Sequence, residues 1–154
     1  MSGPAQHLAD ELALVTLDPG LALALNNTPS AVTLTTTGET ARLIFTGTAG
    51  QNLGLGLTGL TLTPSTSDYA HVYIYRPDGT GWEDKRCYPS DTADGGCEYD
   101  LSNLPLTGTY TVVVVPKNGA TGSFTATLST DVAAPLTAGT PYNLNLRPGQ
   151  NARL

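Results

Sequence analysis

"ARLIFTGTAGQNLGLGLTGLTLT", residues 41–63, sets apolar side chains at nearly every second position on both sides of a short Thr-Ala-Gly-Gln break. A period of two is that of a strand with one face buried, whereas a helix repeats every 3.6 residues. The stretch therefore predicts strands over 41–47 and 52–63 joined by a tight reversal. The glycines at 54 and 56 alternate with leucines as a strand does, so they are read as sheet and not as a phosphate-cradling loop. Outward from this pair the same alternation recurs in "AVTLTTT" (31–37), "AHVYIYR" (70–76), "CEYDL" (97–101), "TYTVVVV" (109–115) and "SFTATLS" (123–129). Between the runs sit "TTGET", "RPDGTG", "PLTG" and "PKNGATG", rich in the Gly, Asn and Asp that tolerate positive φ in tight turns. Seven short strands with such turns predict an all-β fold, an antiparallel sandwich of two sheets.

Composition bounds the function. The 154 residues carry a formal charge of -6, and only 13% are charged. With no basic run, nucleic acid is excluded as a partner, because phosphate binding needs clustered Lys and Arg. No apolar stretch approaches the roughly 20 residues that span a bilayer, so membrane insertion is not expected. The first twenty residues also lack the basic start and unbroken apolar middle of a signal peptide. Cys87 and Cys97 flank a Pro- and Gly-containing segment short enough to fold back, and are read as a disulfide in a secreted or cell-surface protein.

A second regularity concerns organisation. "TPSAVTLTTTGETARL" (28–43) reads closely against "TPYNLNLRPGQNARL" (140–154), with Ala41, Arg42 and Leu43 matching Ala152, Arg153 and Leu154. "ALVTLDPGLALALNNTP" and "ATLSTDVAAPLTAGTP", upstream of the two copies, echo each other as well. The division expected is an N-terminal flank at 1–27 belonging to a preceding unit, a sandwich at 28–130, and strands at 131–154 resembling the start of a following repeat.

In order, "ARLIFTGTAGQNLGLGLTG", "HVYIYRPDGT", "LPLTGTYTVVVVP" and "GATGSFTATLS" resemble the bacterial pre-peptidase C-terminal domain over about residues 38–130. That resemblance implies a β-sandwich of jelly-roll type, appended to secreted peptidases and other exported proteins and similar to the collagen-binding modules of bacterial collagenases. One departure is His71, which stands where the family often has an Asp opening a D-x-Y-x-Y strand; Asp68 replaces that carboxylate only in part. The acidic segment between Pro77-Asp78-Gly79 and Tyr99 also looks longer than the family pattern.

That segment, "GWEDKRCYPSDTADGGCEYD" (81–100), gathers the single Trp and both cysteines. It is read as a long inter-strand excursion stapled by Cys87 and Cys97. Trp82, Tyr88 and Tyr99, with Glu83 and Arg86 beside them, are the candidate ligand-binding residues, because stapled flat rings can stack on sugars or on an extended peptide at little ordering cost. Against this stands a structural reading in which a Trp beside a disulfide covers one end of a small core, and Tyr73, Tyr75 and Tyr110 merely pack. Asp91, Asp94, Glu98 and Asp100 have the oxygens for calcium but lack the D-x-[DN]-x-[DN]-G spacing, so an acidic surface ranks above a calcium site and no cofactor is expected. Catalysis is not expected either. The two histidines, His7 and His71, stand in no recognisable nucleophile motif, and Glu83 and Asp84 are solvated loop charges. The function expected is a non-catalytic accessory module of a larger exported protein, contacting polysaccharide or an extracellular protein polymer and the neighbouring domains of its chain. The alternatives are a spacer repeat and a maturation segment of a secreted peptidase.

Overall fold

The computed structural model describes residues 20–26 and 28–154. Its strands are β1 (Leu21–Ala22), β2 (Ser30–Leu34), β3 (Ala41–Gly47), β4 (Leu53–Thr63), β5 (Ala70–Tyr75), β6 (Gly81–Cys87), β7 (Cys97–Leu101), β8 (Gly108–Pro116), β9 (Thr121–Thr130), β10 (Val132–Ala133) and β11 (Ala152–Arg153). Two sheets stack, a five-stranded one in the order β1-β3-β8-β5-β6 and a four-stranded one in the order β2-β9-β4-β7. β2 pairs with β9, β3 with β8, β4 with β7 and β5 with β6, all antiparallel. First with last and so inward, this nesting is one long hairpin rolled up so that its arms fall in both sheets. The expected antiparallel β-sandwich of jelly-roll type is therefore the fold.

The alternation that predicts the strands also builds the core. Leu43 and Phe45 of β3, Val72 and Ile74 of β5, and Tyr110 and Val112 of β8 face Leu53, Leu55 and Leu57 of β4 and Tyr99 and Leu101 of β7, all at most 3% exposed. Burying each such side chain is worth about 1.5–3 kcal/mol. Phe45 lies flat against Tyr110 with ring centroids 5.1 Å apart. Along β4 the leucines point inward, so the glycines between them lie on the outward face.

The segment 81–100 departs from expectation. It is not one long excursion, because Gly81–Cys87 forms β6, registered from Ala70↔Cys87 to Ile74↔Glu83, and only 88–96 remain between strands. The sequence hides this strand because β6 lies at the edge of its sheet, where Cys87 alone is buried. Charged edge strands are how sheets discourage further pairing. The flanks hold short strands as well: β1 runs parallel beside β3, and β10 parallel beside β11.

Candidate ligand-binding face

β5 reads Ala-His-Val-Tyr-Ile-Tyr, and its burial alternates strictly, with Ala70, Val72 and Ile74 inside and His71, Tyr73 and Tyr75 half-buried on the outer face. Three aliphatic residues on the core side leave three rings in line on the other. His71 stacks on Tyr73 with centroids 4.3 Å apart and planes 15° from parallel. Tyr73 and Tyr75 follow at 6.4 Å, and Tyr69 meets His71 edge-on at 6.5 Å. Tyr88, from the loop after β6, extends the row by packing on Tyr69 at 5.2 Å. The neighbouring strand β8 sets Thr111, Val113 and Val115 beside Tyr75, Tyr73 and His71, and these too are half-buried. The run of four valines thus serves both faces: Val112 and Val114 enter the core, while Val113 and Val115 make the outer surface apolar.

Polar groups border the row. Asp84 of β6 hydrogen-bonds His71 Nε2, and the Arg86 guanidinium lies over the Tyr69 ring at 4.8 Å. Lys117 Nζ donates to Asp68 Oδ1 at 3.0 Å, and that carboxylate holds the ammonium above its usual pKa. An open cleft of about 390 Å³ lies between Tyr73, Tyr75, Trp82, Glu83 and Asp84. A second, of about 400 Å³, lies on the other side of Tyr75 and is lined by Arg42, Arg76, Pro77 and Thr111 among others.

The residues expected to bind ligand do not gather on one surface. Tyr99 is 1% exposed and belongs to the core, where burial pushes its phenol pKa upward, so its ring is not available to a ligand. Trp82 is half-buried and tilts against Tyr110 at 5.6 Å. It covers the end of the core as the structural reading holds, and its remaining edge, with Glu83, lines the first cleft. Arg86 and Tyr88 reach the aromatic row through Tyr69. The Cys87–Cys97 disulfide is formed, with a Cα–Cα distance of 5.4 Å. It joins β6 at the edge of one sheet to β7 at the edge of the other, which clips the sandwich shut.

Three of the four calcium candidates, Asp91, Glu98 and Asp100, are hydrogen-bonded to backbone or amide groups, and Asp94 accepts from Gly59 through its backbone carbonyl. Asp91 accepts the Tyr88 N–H at 2.8 Å, and Glu98 and Asp100 accept from Gly149 and Asn151 at 3.1 and 3.0 Å. Among the described residues no three His, Cys, Asp or Glu side chains gather as a metal ion would require. His7 lies outside the described residues. Sequence reasoning assigned Tyr73 and Tyr75 to packing, but they face outward. The signal that places them was present in Ala70, Val72 and Ile74, which claim the inner face.

No protein-family model and no curated protein matches the sequence. Among solved structures, the fold is similar to the pre-peptidase C-terminal domain of collagenase from Bacillus anthracis, at 11% identity and a TM-score of 0.47, covering 71% of this chain and 96% of that one. It is similar to CorA, a surface-associated copper-binding protein of Methylomicrobium album BG8, at 10% identity and a TM-score of 0.48, covering 73% and 98%. It is also similar to PliG of Aeromonas hydrophila, a periplasmic inhibitor of g-type lysozyme, at 16% identity and a TM-score of 0.41, covering 70% and 94%.

Proposed function

We propose that this domain is a non-catalytic binding module of an exported protein, and that it holds a polysaccharide along the outer face of its five-stranded sheet. The observation that carries the reading is the line of half-buried rings Tyr69, His71, Tyr73 and Tyr75, with clefts on both sides of Tyr75. Rings held by a strand need no ordering on binding, and because they stack on one another they form one continuous apolar row across which successive sugars can lie. Asp84, Glu83, Arg86 and Arg42 at the margins supply partners for hydroxyl groups. The clefts are open and shallow, which fits a chain laid across the surface better than a small molecule enclosed in a pocket.

Two observations support the rest of the reading. The Cys87–Cys97 disulfide is of the kind that persists in oxidising compartments, which favours export. His71 is hydrogen-bonded to the Asp84 carboxylate and stacked on Tyr73, which fits a ring held in place as part of the row.

The test is retention of the protein on insoluble chitin, cellulose, starch, peptidoglycan and collagen, with a Tyr73→Ala/Tyr75→Ala variant alongside. Tyr73 and Tyr75 serve as the probe and Trp82 does not, because Trp82 packs on Tyr110 and its removal would disturb the fold as well. Retention on one polysaccharide, lost in the variant while its cooperative melt and strand signal are kept, is the expected result. Retention on collagen alone would make the ligand an extended protein, and equal retention of variant and parent would refute the site.

A further inference from the structure

Residues 28–43 and 140–154 share a turn as well as a sequence, although Ser30–Leu34 of the first is β2 and 141–147 of the second form no strand. Each contains a turn with a positive-φ glycine, Gly38 at 83° and Gly149 at 75°. The residue after each glycine closes the turn in the same way: Glu39 N–H donates to Thr36 O at 3.0 Å, and Gln150 N–H to Arg147 O at 2.9 Å. Its side chain then accepts from the start of the turn, Glu39 Oε2 from the Thr35 N–H at 2.8 Å and Gln150 Oε1 from the Arg147 N–H at 2.9 Å. After the turn, Ala41-Arg42-Leu43 enters β3 beside parallel β1, and Ala152-Arg153 forms β11 beside parallel β10. What differs is cover. Leu34 and Leu43 are 5% and 1% exposed, whereas their counterparts Leu146 and Leu154 are 48% and 54% exposed.

The second turn is also seated. On the outward face of β4, a Cβ at Gly54 would stand 1.8 Å from Gly149 O, and one at Gly56 would stand 2.5 Å from Pro148 O. The two glycines are thus a slot into which Pro148-Gly149 is laid. Glu98 and Asp100 on the adjoining β7 bind Gly149 and Asn151, while Arg153 Nε donates to Asp131 Oδ2 at 2.7 Å. Thr127 and Ser129, the β9 partners of Gly56 and Gly54 on this face, are 1% and 0% exposed. A polar outward face buried in this way is a docking surface and not a solvated one.

We propose that residues 140–154 are the opening strand, turn and strand of a second copy of this fold, and that the glycine slot on β4 is the seat that docks that copy onto this one. The apolar residues fix the occupant: Leu146 and Leu154 repeat the core positions Leu34 and Leu43, so what covers them is the counterpart of the β8 and β9 that cover the first pair. The copies then meet through a hydrogen-bonded turn instead of a free linker, and the array is stiff. The proposal concerns the four-stranded sheet and is independent of the ligand reading.

The test is a chain in which a second pass of residues 44–154 follows Leu154. Hydrogen exchange at Leu146 and Leu154 should slow roughly a hundredfold relative to the 154-residue protein, to the level of Leu34 and Leu43. Small-angle scattering should give one fixed spacing between the copies. Gly54→Val/Gly56→Val in the first copy should broaden that spacing while both copies stay folded. In the 154-residue protein the same variant should speed exchange at Val132 and Ala134, whose N–H groups donate to Asn151 and Arg153. A second copy that stays unfolded, or one that folds while Leu146 and Leu154 still exchange freely, would overturn the repeat. Unchanged spacing and unchanged exchange at Val132 and Ala134 in the glycine variants would overturn the seat.

Discussion

Asp78 lies in the turn between β5 and β6, where its carboxylate accepts the hydroxyl and backbone N–H of Thr80 at 2.6 and 3.0 Å. Both bonds favour the charged form, so the carboxyl titrates below its usual 3.8. Because the folded pKa is depressed, the turn gains stability that is fully present above the unfolded value and is lost as pH falls through the folded one. An NMR titration should therefore place the Asp78 midpoint below 3.8, and Thr80→Val should raise it; an unmoved midpoint in the variant would remove the hydroxyl from the account. The tyrosines divide by the same local logic. Tyr99 fills the core, and Tyr99→Ala should cost about 3–5 kcal/mol in a denaturant melt, as large-to-small aromatic changes do. Tyr73→Ala, on the outer face, loses its stack on His71 and should cost about 0.5–1.5 kcal/mol. Equal losses in the two variants would mean that the outer row also belongs to the core.

The disulfide acts between elements, since it ties the edge strand of one sheet to the edge strand of the other. Closing so short a loop is worth about 3 kcal/mol in the chain-entropy model. A Cys87→Ala/Cys97→Ala variant should accordingly melt on the order of 10 °C lower and keep its strand signal in circular dichroism; a melting temperature within a degree of the parent would show that the core alone holds the edges. How far each element was legible in the sequence follows from where it lies. β3, β5 and β8 bury one face each, β4 and β9 turn one face to the core and lay the other under the C-terminal segment, and in all five the core imposed an alternation that can be read directly. β6 has little to bury, so Trp-Glu-Asp-Lys-Arg reads as a loop although Glu83 to Arg86 pair with β5 and only Trp82 falls in the register shift. β1, β10 and β11 are two residues long, too short for any period. The site was hidden for a related reason. The rings clustered in sequence around Cys87 and Cys97 are divided by the sheets between core and surface, while Tyr69, His71, Tyr73 and Tyr75 become neighbours through strand geometry alone.

At the scale of the whole molecule the sandwich has two outer faces, and the two proposals fall one on each. That of the five-stranded sheet carries rings and open clefts; that of the four-stranded sheet has Gly54 and Gly56 at its middle and lies under the chain's own C-terminal segment. Two packed sheets lie about 10 Å apart, so the outer faces are farther from each other still and share no side-chain partner. Changes at such separated sites add. Tyr73→Ala/Tyr75→Ala should abolish polymer retention and leave the exchange of Val132 and Ala134 unaltered. Gly54→Val/Gly56→Val should release residues 147–153 and leave retention unaltered. The combined variant should show both effects, with a stability change equal to the sum of the two within about 0.5 kcal/mol. A larger coupling would mean that covering the β4 slot shapes the aromatic face through the core, so that docking a second copy would tune ligand binding on the first.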